Sequence, residues 1–397
     1  MKKRIPLFYA VIAIFWYALY TYVPYISPYS EYLEADLRLI GIIVGAYGFT
    51  QMVIRFPLGI LSDKLGKRKI FVLSGLFFTA ISGIIVFIAP HPYTMLISRS
   101  LGGVAAASWV IFAALGASYY RPEEATKFVG FANSANAMGR ILAFLTGGLV
   151  AEILGVPHAF LLGGLAGGIG LIAGLAIVET GKAKDTPKKE NDNKPAPTPK
   201  LSDLLSLVYN RQLLSASILA ILSQYVAFST AFGFTPLLGE RLGATHLQLG
   251  MLGMAAAIPG LLVSPLAGTV FPKKLGARNT IALGFFLSAT GTVLLVFVAN
   301  IWQLYAVQIL ISAGLSLSYT LLMGLSIKDI SSERRATAMG FFQAVYGLGM
   351  FTGPFITGWI GHQLGLGVGF FVTAGVGVLG MIAVFIFARR GYVPRGN

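Results

Sequence analysis

Long apolar runs separated by short polar loops set the pattern of this chain. Runs long enough to cross a bilayer, about 20 residues each, fall at 7–29, 39–61, 70–89, 93–119, 128–149, 157–178, 212–237, 247–271, 280–299, 302–326, 336–359 and 365–388. They predict an all-α polytopic membrane protein with twelve transmembrane helices. One long hydrophilic segment, Glu179 to Lys200, separates the sixth run from the seventh, and Pro187, Pro195, Pro197 and Pro199 interrupt its lysine-rich stretch. The chain therefore divides into a six-helix bundle at 1–178, a cytoplasmic linker at 179–211, and a second six-helix bundle with a short cytoplasmic tail at 212–397. Residues 201–208 read either as a short amphipathic helix at the membrane surface or as plain loop.

The two halves repeat at an offset of about 210 residues. Gly139 to Gly148 aligns with Gly349 to Gly358, Gly130-Phe131 with Gly340-Phe341, and Glu123 with Glu333. Two bundles of the same orientation joined by a linker form a parallel repeat.

Composition agrees with this assignment. The chain is 56% hydrophobic and only 11% charged, against roughly 25% charged in soluble domains. A net charge of +15 in a soluble protein would suggest nucleic acid. Here all but five of the 30 Lys and Arg fall in the loops and termini of one side, while Arg38 and Arg241 lie on the other and Arg55, Arg99 and Arg140 within spans. That is the positive-inside pattern, so a nucleic-acid partner is excluded and both termini are expected in the cytoplasm. Lys2-Lys3-Arg4 before an apolar run could mimic a signal peptide, but no small-residue cleavage site follows, and an uncleaved first span is expected. There is no cysteine, which excludes disulfides and thiolate sites.

The hinge between the second and third runs, Gly59-Ile60-Leu61-Ser62-Asp63-Lys64-Leu65-Gly66-Lys67-Arg68-Lys69, fills every position of G-x-L-x-D-x-x-G-x-[RK]-[RK]. On this signature the chain resembles the major facilitator superfamily, and the repeat extends the resemblance over nearly all of it. A second, incomplete copy stands at Gly268, Lys273, Lys274, Gly276 and Arg278, with Pro272 about where Asp63 stands in the first. The resemblance implies two pseudo-symmetric bundles around a central cavity, lined by helices one, four, seven and ten with contributions from two, five, eight and eleven. Asp63 is expected to follow the end of its helix, whose dipole repels a carboxylate, so its partner must be an arginine or the N-terminus of another helix. In this gating loop Gly59 would allow close approach, Gly66 would turn the chain, and Lys67 and Arg68 would hold the loop in the cytoplasm. The antiporter pattern G-x-x-x-G-P-x-x-G-G is imperfect in helix five, where Ala143 and Phe144 stand for Gly and Pro. Its first part is complete in helix eleven around Gly349, Gly353 and Pro354, which join the candidate gating residues. Arg99 opens Arg-Ser-Leu-Gly-Gly, resembling the family's R-x-x-x-G motif. It is the candidate coupling residue, with structural anchoring as the alternative.

None of the fifteen acidic residues falls in the middle of a span. Cation exporters of the superfamily usually carry a membrane-embedded carboxylate, so cation export is disfavoured. The acidic residues Glu31, Glu34 and Asp36 are expected in a solvated outer loop, with the cavity mouth as the alternative. Arg140 lies ~18 Å into helix five. Asn133, Asn136 and Arg140 share one helix face by their i, i+3, i+7 spacing. The missing counter-charge can be a substrate carboxylate, sulfonate or phosphate, or the guanidinium can pair with backbone carbonyls or water. Arg55 is expected to be structural. Further candidate substrate contacts are Tyr17, Tyr20, Trp109, Gln224, Gln308, Gln343 and Tyr346, and Trp16, Tyr225 and Phe228 would complete an amphipathic wall.

His91, His158, His246 and His362 fall in outer loops without metal-ligand spacing, and no phosphate-binding loop is present, so neither metal nor cofactor is expected. Paired acids or an activated nucleophile at depth, as an intramembrane enzyme would need, are absent. The expected function is secondary transport of a small organic anion or amphipathic metabolite across the cytoplasmic membrane by rocker-switch alternating access. Proton-coupled efflux of lipophilic drugs is the alternative, and a channel or non-transporting sensor is the more distant one. The expected partners are the small-molecule substrate, membrane lipids and protons as a candidate coupling ion, with the protein a monomer.

Overall fold

The computed structural model describes residues 5–120, 125–179, 210–330 and 334–389. The central part of the linker, the 201–208 stretch, Glu123 and Glu333 lie outside the described residues. So does the side chain of Asp63, although its backbone is placed. The described chain is helical throughout, without a β-strand. In chain order the spans are α1 (Ile5–Tyr32), α2 (Leu37–Leu65), α3 (Arg68–Ile88), α4 (Pro92–Ala117), α5 (Ala125–Leu154) and α6 (Val156–Leu175). The second half holds α7 (Arg211–Arg241), α8 (His246–Thr269), α9 (Phe271–Phe297), α10 (Ile301–Lys328), α11 (Arg335–Leu364) and α12 (Leu366–Arg389). Eleven of these are long and apolar enough to cross a membrane by themselves. The remaining one, α11, is 30 residues long but more polar, with Gln343, Tyr346, Thr352 and Thr357 along it.

Helix ends follow local chemistry. The Asp36 carboxylate accepts from the Leu39 amide at 2.8 Å and caps α2, and Thr245 and Gln248 form a capping box that starts α8. Asn210 and Asn300 cap α7 and α10. α1 breaks into a 3-10 turn at Val23–Tyr25, where Pro24 lacks a donor, and its counterpart α7 breaks into a π-turn at Thr230–Phe234 ahead of Pro236. Two glycines in the left-handed region turn the chain at corresponding places. Gly66 (φ 62°) ends α2, and Gly276 (φ 78°) bends α9 near its start. Asp63 does not follow α2. It lies inside the last helical turn, ahead of the Gly66 cap, because the helix runs on until the left-handed glycine stops it.

Within the first bundle α1 packs on α5 and α6, α2 on α4, and α3 on α6. Within the second, α7 packs on α11, α9 on α10 and α12, and α8 on α10. The bundles meet along two crossings, α2 with α11 and α5 with α8. Small residues let the backbones touch there. A methyl group on Gly41 would lie 3.3 Å from the Gly358 Cα and closer still to the Pro354 carbonyl, and one on Gly250 would lie 3.0 Å from the Gly148 Cα. These two crossings correspond under the repeat. Apolar side chains such as Ile172 on α6 (71% exposed) and Leu379 on α12 (59% exposed) cover the outer surface, as a lipid-facing wall requires.

Candidate functional site

The α2–α11 crossing seals one end of the molecule only. At that end Tyr25 Oη donates to the His246 carbonyl at 2.9 Å and Ser27 Oγ to the Gly233 carbonyl at 2.6 Å. Glu31 pairs with Arg241, His362 Nδ1 lies 3.7 Å from Asp36 Oδ2, and the Leu247 amide donates to Glu152 at 3.0 Å. All five contacts join one bundle to the other. Of the three acidic residues expected in a solvated loop, Glu31 and Asp36 thus take part in a seal, although Asp36 also binds Arg38 at 2.8 Å. Burial raises the Asp36 pKa, but the Leu39 amide, Arg38 and His362 outweigh it and hold the carboxyl below the usual range. Of the other histidines, His246 opens α8 and His91 caps α4 by accepting from the Tyr93 amide.

Toward the other end the bundles part. The last close approach of α2 to α11 sets Gly347 against Met52. Beyond it a side chain on Gly59, Gly130, Gly260, Gly268 or Gly340 would meet open space, so Gly59 approaches no helix in this conformation. The hinge between α2 and α3 is otherwise held within the first bundle. Glu179 accepts from the backbone amides of Arg68 (2.9 Å) and Lys69 (2.7 Å) and so caps α3, Arg68 donates to the Ala114 carbonyl at 3.3 Å, and Lys67 occupies the N-cap position without a side-chain bond. Gly353 rests on the Tyr225 carbonyl and Ser229, and Pro354 sits inside α11 at the sealed crossing.

Between the seal and the open end lies a cavity of about 450 Å³. Its wall is built by α1, α2, α4, α5, α7, α8, α10 and α11, while α3, α6, α9 and α12 contribute nothing. Of the residues singled out from the sequence, Arg140, Asn133, Asn136, Tyr20, Trp109, Gln224, Gln343 and Tyr346 line it, together with Trp16 and Phe228. Four others stand off the wall. Tyr17 points toward α5, where its hydroxyl meets Thr146 Oγ1 at 2.8 Å. Gln308 is fully buried and donates to Ser312 at 2.9 Å. Tyr225 is packed inside its bundle at 5% exposure. Arg99 is enclosed at 3% exposure with its guanidinium 4.5 Å over the Tyr47 ring, behind the wall.

Arg55 differs from expectation in the other direction: it lines the cavity. So do Tyr47 and Gln51, and the three share one face of α2 at four-residue spacing. Ser312, Ser316 and Thr320 repeat that spacing on α10, and Ser223 and Ser264 complete the neutral polar wall. The spacing was readable on both helices, but an apolar face of equal width left the facing direction open.

The electrostatics of the wall are one-sided. Among the described residues, no aspartate or glutamate lines it. Arg140 stacks 4.4 Å over the Tyr20 ring, and its Nε has no hydrogen-bond partner. Arg55 is 6% exposed with Nε and Nη1 unpartnered, and Gln343 Oε1 and Trp16 Nε1 also lack partners. Aromatic rings frame these groups: Trp16 on Trp109 at 5.3 Å, Tyr20 on Phe232 at 6.2 Å and Tyr346 on Tyr319 at 5.8 Å. The arrangement suits a solute with an anionic group and an apolar body.

A sequence profile of the Major Facilitator Superfamily matches residues 7–283 and 217–397. The chain is 28% identical to an uncharacterised MFS-type transporter of Methanocaldococcus jannaschii, over 86% of this chain and 87% of that one. It is 23% identical to the quinolone resistance protein NorA of Staphylococcus aureus, over 97% of each. In fold it is similar to a bacterial homologue of the human lysosomal transporter Spinster, solved inward-facing and unoccupied, with a TM-score of 0.82, 14% identity, and 100% and 99% of the two chains covered.

Proposed function

The chain belongs to the major facilitator superfamily, a family of multi-pass membrane transporters, and from that premise we propose that it carries a small organic anion across the membrane by alternating access. The observation that supports the anion is the wall itself: Arg140 lines the cavity, its enclosed Nε has no hydrogen-bond partner, and no described carboxylate faces it. A guanidinium in a partly desolvated cavity is best stabilised by a charge-assisted, bidentate partner. Asn133 and Asn136 would supply neutral hydrogen bonds, and Tyr20, Trp109 and Tyr346 the apolar contact. By the positive-inside rule the open end faces the cytoplasm, so this conformation is inward-facing.

In this reading Arg99 is a positioning residue, coupling through Tyr47, whose ring stacks on Phe228 of the other bundle at 6.2 Å. The Gly59–Arg68 hinge closes the cytoplasmic side in the opposite state, and Gly353 and Pro354 belong to the crossing that must open. Protons are the candidate coupling ion.

The aromatic frame supports a second reading, efflux of lipophilic drugs, since relatives bear names such as quinolone resistance protein NorA and tetracycline resistance protein, class C. Ligand-induced thermal stabilisation separates the two, because a ligand that binds only the folded state raises the melting temperature. Organic anions are expected to stabilise the wild type, and Arg140→Gln to weaken their binding about tenfold or more. Equal stabilisation of both proteins by cationic or neutral drugs would instead establish the efflux reading.

A further inference from the structure

We infer that the transported solute carries two anionic groups, one held by Arg140 and the second by Arg55, which makes Arg55 a specificity-determining residue of the cavity wall. This rests on the anion reading above and deepens it. Arg55 is 94% enclosed yet lines the cavity, and two of its three guanidinium nitrogens have no hydrogen bond. Arginine does not discharge by losing its proton, so an enclosed guanidinium needs a partner. The other two intramembrane arginines each have an aromatic ring beneath them, Tyr47 for Arg99 and Tyr20 for Arg140. Among the described residues Arg55 has no stacked ring, ion pair or hydrogen bond.

The surroundings of Arg55 are those of an anion site and not of a structural cation. Gln51 stands one turn away on the same face of α2, and Gln343, Tyr319 and Tyr346 of the other bundle line the same space. These side chains carry neutral donors and no charge, so they can complement an anion without competing with it for Arg55. A monoanion would neutralise one of the two cations and leave the other enclosed and unpaired. A solute with two anionic groups on one apolar spacer satisfies both, and the aromatic side chains that line the same cavity suit the spacer. The chemical class is therefore a dicarboxylate or an organic acid carrying a second carboxylate, sulfonate or phosphate.

The test compares melting temperatures of the purified full chain with matched pairs of monoanion and dianion at neutral pH, where both carboxyls are ionised: butyrate and succinate, hexanoate and adipate, octanoate and suberate. At one chain length the dianion is expected to bind about tenfold tighter than its monoanion, the worth of one added charge-assisted hydrogen-bond pair. Arg55→Gln should bring that dianion down to the level of its monoanion, and Arg140→Gln should weaken both. If Arg55→Gln keeps the dianion's advantage, Arg55 is structural and the inference falls while the anion reading stands. If Arg140→Gln changes nothing, the anion reading itself falls. Should Arg55→Gln not fold, the wild type decides alone: equal stabilisation by monoanion and dianion at every length overturns the inference. A monoanion with inorganic phosphate that matches the dianion would also overturn it, in favour of two separate anions.

Discussion

The two halves of the cavity wall descend from one repeat but differ in charge. On α5 the wall residues are Asn133, Asn136 and Arg140, and on α11 they are Gln343, Tyr346 and Met350. Each pair is 210 residues apart, and all six side chains line the same space. On α2 and α8 the counterparts Arg55 and Ser264, 209 residues apart, also both face it. The fold has kept the facing direction of each helix while the chemistry diverged. Both guanidinium groups lie in the first bundle, and the second offers amides, hydroxyls and thioethers. A solute anchored on the first bundle can then be contacted by the second only through neutral groups, and neutral groups can approach and withdraw without separating charges in a low-dielectric medium. The sealed end differs again, since there opposite charges from the two bundles do meet.

The largest effect is expected from moving the cavity charge across the pseudo-symmetry. Arg140→Met should weaken anion binding about tenfold to a hundredfold. Adding Met350→Arg should regain part of it, read as anion-induced thermal stabilisation. No recovery would mean that the charge must stay with Asn133 and Asn136.

Next comes the seal. Gly41→Val places side-chain atoms against the Pro354 carbonyl and Gly358 and should force α2 from α11. Because the chain has no cysteine, spin labels can be attached at Tyr32→Cys and Trp302→Cys alone, and the variant should lengthen their separation. An unchanged distance would show that the crossing yields locally.

A smaller effect is expected from pH. Against the opposing effect of burial, the Leu39 amide and Arg38 of its own bundle, with His362 of the other, hold the Asp36 carboxyl below the usual range, so the stability it contributes is complete above the ordinary carboxylate pKa of about 4. It is lost as pH falls through the lower folded value. The melting-temperature difference between the wild type and Asp36→Asn should shrink to nothing in that acid window.

The smallest concerns Glu34, whose φ of 67° puts a non-glycine residue where the second half has Gly243 at 81°. Glu34→Gly should raise stability by up to about 1 kcal/mol, measured as a melting-temperature increase. A decrease would mean that the Glu34 side chain contributes more than its backbone strain removes.

Much of this was legible in the amino-acid order. The spans, the repeat, the family, the turning glycine Gly66 and the Asn133–Asn136–Arg140 face follow from hydropathy, spacing and local chemistry. Each depends on neighbours within a few residues or on the bilayer's demand that backbone groups be satisfied internally. Tertiary structure alone decided that Arg55 faces the cavity while Arg99 turns behind Tyr47, that Tyr17 and Gln308 stand off the wall, that Glu179 caps α3, and that Glu31 meets Arg241. On helices apolar around most of their circumference, hydropathy specifies depth but barely specifies rotation, and rotation is what selects the side chains that meet. It is set by where glycines let two backbones touch, a property of pairs of helices distant in sequence.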